Sequence, residues 1–529
     1  MFLVIDTHMF QHRFMLLLID KIMFWKKNKV KAVKRKSPQP IDGHEAYREA
    51  LPVINISFIF CDLEDLFSST KIQLIAEELN VNSAIVIEDL KRTLQGIIDD
   101  VRCCIEYPYV EEYYRDTYYG FYSRKHKEYN RNCFRISFFK PTVTEDNFFK
   151  VDMNNNYLGY MVLRPTPKHI IGYTFLSPLI YRNNTFSICL CKRTILVMGR
   201  MLETTGFPFC SQDGEMNQCA ENAIVILFDY FSRRYNKYSR VLPSEIAIEV
   251  SNNLSNRNQP SIGLDMDTVA RVMEAMGMAT RRYIKAKKGE TDIQNHVYNS
   301  TEFYKLMQIY VESGLPIYAC TDTHAFLIVG RENKFFSKGA RVVCMNDNEQ
   351  PYSLRDSLED LEEFIVPIAE NILLDAEQLN PKETLKALNN SFPDLDLLVD
   401  GQNYYHRIFL TTSRSYKSYL AKSALSNENK LLAICTAMPR YIWVCESFNE
   451  HDILDDINLN HIDLITVLDA TDYAYGCNHL LMVKSKEKLV IPTTDKTRLQ
   501  RKTYSILDSK ESMRPFMRNL KGQHTSWQG

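Results

Sequence analysis

The sequence contains no Cys-x-x-Cys pair, no internal repeat, no low-complexity tract and no long apolar run. Zinc ribbons and fingers hold their metal through paired ligands at short spacing. A structural zinc is therefore not expected, and neither is any other metal or cofactor. The apolar stretch from Phe14 to Ile19 spans only six residues before Asp20 and Lys21 interrupt it. A membrane-spanning helix needs about twenty such residues, and a secretory core needs at least about seven. No stable membrane insertion is expected. Neither sign of charge is in excess: Lys+Arg total 64 against Asp+Glu 65, a net charge of -1. That balance argues against a protein whose main task is to coat nucleic acid or an anionic membrane. The cysteines number 13, an odd count, and they are scattered from Cys61 to Cys477. Unpaired, dispersed thiols suit a reducing cytoplasm, and most are read as small buried hydrophobes.

The composition is that of a globular protein, with 45% hydrophobic and 24% charged residues over 529 positions. A chain of that length is expected to form several domains and to bury a large core without staples. The patterning predicts an α+β fold class. Residues 1–50 read as a basic, disordered lead-in that ends near Pro38 and Pro40, and Met23 offers an alternative start. Residues 51–198 read as an N-terminal α+β domain, with a helical stretch over 71–104. Between Tyr107 and Tyr129 the aromatics are dense, with Arg115, Arg124, Lys125 and Lys127 interleaved. Such a segment can stack bases, but it more often packs between layers, and no nucleic-acid partner is expected. Residues 199–369 read as a second domain, opening on a loop that contains Gly206, Pro208, Asp213 and Gly214. Residues 384–491 read as β-rich, with strands that include Tyr404–Thr411, Leu431–Thr436 and Tyr441–Glu446. Residues 492–529 form a polar, basic tail, expected to be loosely held.

One stretch stands apart. From Gln212 a polar, glycine-containing loop leads to Cys219, which opens a run apolar almost all round as far as Phe231. An all-round apolar helix is a buried one. A cysteine in its first turn sits where the helix dipole and free amides stabilise a thiolate. The same amides can hold an oxyanion. These are the needs of a cysteine nucleophile. A base must come from elsewhere, and His324 is the best candidate. It follows the polar Thr321-Asp322-Thr323 turn and opens the apolar strand Ala325–Val329. The next strand-like run ends in Asn346 and Asp347. Either could orient the imidazole and fix its tautomer. A carboxylate stabilises an imidazolium more strongly than an amide, which favours Asp347. Strand alternation would let only one of the two reach.

The order loop-Cys219-helix, then Thr323-His324-Ala325, then Asn346-Asp347 before Pro351-Tyr352 resembles the papain-like cysteine peptidases, and among them the bacterial C39-like peptidases. The resemblance covers residues 207–352. It implies a papain-like core within 199–369, with Cys219 as nucleophile, His324 as general base and Asp347 or Asn346 as orienter. The family carries an oxyanion-hole glutamine six residues before the nucleophile. Here that position is Asp213, and Gln212 stands seven before, so Gln212 is the candidate donor. The implied activity is hydrolysis of a peptide or isopeptide bond in a protein or peptide substrate. An acyltransferase or transglutaminase-like enzyme could use the same triad, and a non-catalytic papain-like interaction scaffold is the reading from a different class.

Overall fold

In the computed structural model, residues 57–521 are described apart from 183–184, 217–218, 254–263, 288–290, 333–340, 392–403, 450–461, 473–478, 486–487, 496–497 and 506–512. The basic lead-in of residues 1–50 lies outside them. Strand β1 (Ser57–Asp62) is followed by helices α1 (Ser69–Leu79) and α2 (Ser83–Thr93) and by strand β2 (Arg102–Tyr109). The helical stretch expected over 71–104 is two helices, and its end, Arg102–Cys104, is strand. Asn80 takes the left-handed conformation, with φ 52°, and ends α1. The Asn82 side chain then accepts from the Ala84 amide and starts α2. Helix α3 (Glu112–Gly120) and strands β3 (Cys133–Phe139), β4 (Tyr157–Leu163), β5 (Ile171–Leu176), β6 (Phe186–Ile188), β7 (Cys191–Val197) and β8 (Arg200–Cys210) complete the first third.

The first sheet has seven strands in the order β1-β2-β3-β4-β5-β8-β7. Its limits differ from the expected ones. The boundary at 198/199 falls on the turn of the β7–β8 hairpin, where Met198 and Gly199 both have positive φ, 48° and 77°. Gly206 and Pro208 lie in β8, not in a loop. Two consecutive left-handed residues make the hairpin turn that matches strand twist, and the turn reads in sequence as a domain linker.

Helix α4 (Cys219–Arg234) leaves this sheet, followed by α5 (Pro243–Asn253) and α6 (Met266–Ala275). Strands β9 (Thr280–Lys285) and β10 (Val297–Tyr298), helix α7 (Ser300–Glu312) and strands β11 (Ile317–Cys320), β12 (Ala325–Glu332), β13 (Val342–Met345), β14 (Ser353–Arg355) and β15 (Glu363–Pro367) come next. The second sheet runs β10-β9-β15-β11-β12-β13-β14, and β6 adds to it against β12. At that contact Gly330 is required, because a Cβ there would strike the Ser187 carbonyl and Ile188. The chain expected to form the first domain thus donates a strand to the second sheet.

The last region holds β16 (Tyr404–Thr412), α8 (Ser413–Ala421), α9 (Asn427–Cys435), β17 (Tyr441–Asn449), β18 (Leu464–Asp469), β19 (Leu480–Lys484), β20 (Lys488–Asp495) and β21 (Arg498–Ser505). The strands form a six-stranded antiparallel meander in chain order. The strand expected at Leu431–Thr436 is helical instead. Ser426 caps the turn by accepting from the Asn429 amide, and Asn429 and Ala433, four apart, face inward while Leu431 is exposed. The described part of the tail is not loosely held. Met513 and Phe516 are buried in the core of this region, and Lys521 pairs with Ile188.

A buried ion network joins the second and third sheets. Glu312 at the end of α7 receives Arg331 of β12 and, at 2.6 Å, Arg407 of β16, which also reaches Glu446 of β17 at 2.6 Å. The Phe516 amide donates to the other Glu446 oxygen at 2.8 Å. Burial pushes the Glu312 carboxyl up, but the two guanidiniums outweigh it and hold it at about 2. Removing one partner from such a network costs about 3–5 kcal/mol, because a charge is left buried and alone. The fold class is α+β, with 56–529 forming one compact unit. Among the described residues no helix is long and apolar enough to cross a membrane.

Candidate functional site

Helix α4 is buried on every side from Ala220 to Phe231. It packs against β7 and β8 of the first sheet and β12 of the second. That position explains the absence of a polar face in its sequence. Of its two buried acids, Glu221 and Asp229, Asp229 takes a hydrogen bond from the Tyr173 hydroxyl at 2.5 Å and pairs with Arg233 at 2.9 Å. Cys219 stands half-buried at the helix start.

The loop that delivers Cys219 is held from several directions. Buried Arg164 donates to the Ser211 carbonyl at 2.6 Å. The Ser211 hydroxyl donates to the Asp347 carbonyl at 3.0 Å, and the Gln212 amide donates to the Asn348 side chain at 3.0 Å. Asp213 is 1% exposed, and its carboxylate accepts from the Glu215 and Met216 amides at 2.8 and 2.7 Å. Gly214 has φ 73°, and the Lys168 ammonium donates to its carbonyl at 2.8 Å. Glu215 receives Lys125 at 2.7 Å and the Tyr129 hydroxyl at 3.0 Å. The aromatic segment therefore packs as core and loop support: Tyr113, Tyr114 and Tyr122 are buried, and Tyr129 braces the loop.

His324 lies in the turn between β11 and β12, where the Thr321 amide donates to the His324 carbonyl at 2.8 Å. Its ring stacks over Phe326 at 6.1 Å between centroids. β12 and β13 are antiparallel neighbours, with Leu327 opposite Met345. Extending that register carries Asn346 and Asp347 alongside the start of β12. The His324 Nε2 atom lies 2.7 Å from the Asn346 Oδ1 atom and 3.3 Å from an Asp347 carboxylate oxygen. Both side chains reach the ring, contrary to the expectation that alternation would admit one. The reason is local. Strand β13 ends at Met345, and the chain then turns, with the Asn348 amide donating to Asn346 Oδ1 at 3.1 Å. Pleat alternation holds only while the backbone stays extended.

The Cys219 side chain adjoins the imidazole and raises its pKa. With Nε2 turned to Asn346, Nδ1 is the nitrogen left to face the thiol. Burial lowers the His324 pKa, but the Cys219 contact, the Asp347 charge and the Asn346 bond outweigh it and hold the pKa at about 9. Asp347 is 7% exposed, and burial pushes its carboxyl up against the pull of the facing His324. Cys219, His324, Asn346 and Asp347 are thus brought together. Gln212 is tied to the turn beyond Asn346. The residues that sequence reasoning missed are Arg164, Lys168, Glu215 and Asp213 in its role as a loop cap. Only Asp213 carried a signal, an Asp two residues before a Glu in a glycine turn, which is an Asx-turn pattern.

Among the described residues no group of three or more His, Cys, Asp or Glu side chains is arranged to hold a metal. The chemistry at hand is that of a thiol, an imidazole and two polar orienters. No family model matches the chain, and no curated protein matches it.

Proposed function

We propose that this protein is a cysteine peptidase with a papain-like core, acting on a peptide or isopeptide bond of a protein substrate. The observation that carries the reading is the His324 imidazole, which the Cys219 side chain adjoins and which Asn346 and Asp347 approach at 2.7 and 3.3 Å. The proton leaves the thiol for Nδ1, giving a thiolate–imidazolium pair favoured by the helix N-terminus. The thiolate attacks the carbonyl carbon, and the carbonyl oxygen becomes an oxyanion. Its donors are the Cys219 amide and the Gln212 side chain, which is released from Asn348 for the purpose. The imidazolium protonates the departing amine, leaving a thioester on Cys219. Water then gives its proton to the imidazole and its oxygen to the acyl carbon, and the acid is released.

Asn346 is the nearer orienter of His324, and Asp347 acts through its charge. That assignment reverses the order suggested by charge strength alone. The twelve described cysteines are all free, which accords with work in a reducing cytoplasm. The test is hydrolysis of a reporter-peptide library by the full chain. Cleavage that is lost in Cys219→Ala and in His324→Ala supports the reading. Cleavage that survives Cys219→Ala overturns it.

A further inference from the structure

Strands β1 and β2 set two cysteines face to face. Cys61 and Cys103 are direct partners in the antiparallel register. Opposed residues in such a pair have Cα atoms about 4.5–5.5 Å apart, within the about 4.4–6.8 Å that a disulfide spans. Both side chains lie in the same hydrophobic cluster, with Leu66, Ile72 and Ile75. Each thiol directly shifts the ionisation of the other. The adjacent Cys104 belongs to a cluster on the other face of the sheet, with Phe139 and Phe148, and does not compete.

The two thiols are unequal. Cys103 is fully buried, and the Cys61 contact and burial push its pKa well up. Cys61 is 6% exposed and lies on the edge strand of the sheet. The Cys103 thiol lowers its pKa against the opposing effect of burial, and the Lys71 charge adds to the lowering. This is the arrangement of an attacking thiol with a resolving thiol behind it.

We propose that Cys61 and Cys103 form a dithiol oxidation site, which a small disulfide of the oxidised-glutathione class converts to a cross-strand disulfide between β1 and β2. The Cys61 thiolate attacks one glutathione sulfur, forming a mixed disulfide and releasing one glutathione thiolate. The Cys103 sulfur then attacks the Cys61 sulfur, and the second glutathione leaves. The two protein thiols lose two protons and two electrons, and one glutathione disulfide becomes two glutathione thiols. Cys61 and Cys103 have no part in the chemistry at Cys219, so the site stands independently of the peptidase reading.

The experiment uses the full chain, reduced, desalted and incubated with oxidised glutathione. It is then unfolded, alkylated, digested without reduction and mapped by mass spectrometry. The expected result is a linked Cys61–Cys103 peptide, with those two of the 13 thiols lost from the alkylated set. Cys103→Ser should stop at a single glutathione adduct on Cys61, and Cys61→Ser should leave Cys103 alkylatable. The wild-type measurement decides the matter even if a variant fails to fold. The proposal is overturned if exposed Cys435 takes up glutathione while Cys61 and Cys103 both remain free. A linkage of either to a different cysteine overturns it equally.

Discussion

Among the described residues a cysteine meets a histidine in two places, and the two imidazoles are shifted in opposite directions. At the start of α4, His324 is held at about 9 by the Cys219 thiol, Asp347 and Asn346 acting against burial. In the third sheet, His406 Nδ1 lies 2.8 Å from the Ser447 hydroxyl and 3.9 Å from the Cys445 sulfur. Burial pulls His406 down to about 4, and Lys382 and Lys305 act in the same direction. Burial pushes the Cys445 thiol up to about 12. Cys445 sits in the middle of strand β17, where its neighbouring backbone amides are committed to the sheet. Cys219 sits at a helix start, where the first amides have no partner within the helix. Contact between a thiol and an imidazole is therefore not enough. A nearby carboxylate and unsatisfied amides are what favour the ionic pair; without them burial favours two neutral groups.

The comparison breaks most severely if His324 is removed. In His324→Ala, alkylation of Cys219 near neutral pH should fall to that of an ordinary thiol, and peptide hydrolysis should drop by about 10³-fold or more. The free-amide side of the contrast is sharpened at Gln212. Gln212→Ala should slow hydrolysis by about a hundredfold while leaving Cys219 alkylation unchanged, since alkylation forms no oxyanion. The two orienters come next. Asn346→Ala should slow hydrolysis by up to about tenfold, the value of one hydrogen bond. Asp347→Asn should lower the pH at which His324 titrates, as read by NMR of the ring, because it removes a charge that raises that pKa. The smallest effect is at the other cluster: Cys445→Ser should change neither labelling nor hydrolysis.

The pH dependence follows from the same contrast. The folded pKa of His324, about 9, lies above the ordinary value of about 6.5. Its contribution to stability is thus fully present below about 6.5 and is lost as pH rises through about 9. Denaturant unfolding of wild type and His324→Gln should show the wild-type advantage shrinking over that window. Hydrolysis should decline over the upper part of it, since the leaving amine needs a protonated ring.

Much of the site was legible in sequence. A cysteine opening a helix with no polar face, and a histidine opening an apolar strand after a polar turn, are local patterns with local causes. The choice between Asn346 and Asp347 was not legible, because it depends on where β13 stops being extended. Arg164 and Glu215 were hidden for a different reason. Their partners lie 47 residues away at Ser211 and 90 away at Lys125, and no short-range pattern marks such contacts. The α+β class was readable from alternating strand and helix periods. The domain borders were not, since the Met198-Gly199 hairpin resembles a linker and β6 crosses into the second sheet. The apolar run at Leu431–Cys435 suits a strand or a helix, and only its Ser426 cap argued for the helix.

The central claim of the proposed function is that Cys219 reacts as a nucleophile because of its surroundings. The direct measurement is peptide-mapped alkylation of the native chain with limiting iodoacetamide at about pH 6, where an ordinary thiol is less than about 1% ionised. Exposed Cys435 serves as the internal reference. The expected result is Cys219 modified at least about tenfold faster than Cys435, with Cys445 untouched. Modification of Cys219 no faster than Cys435 would contradict the account.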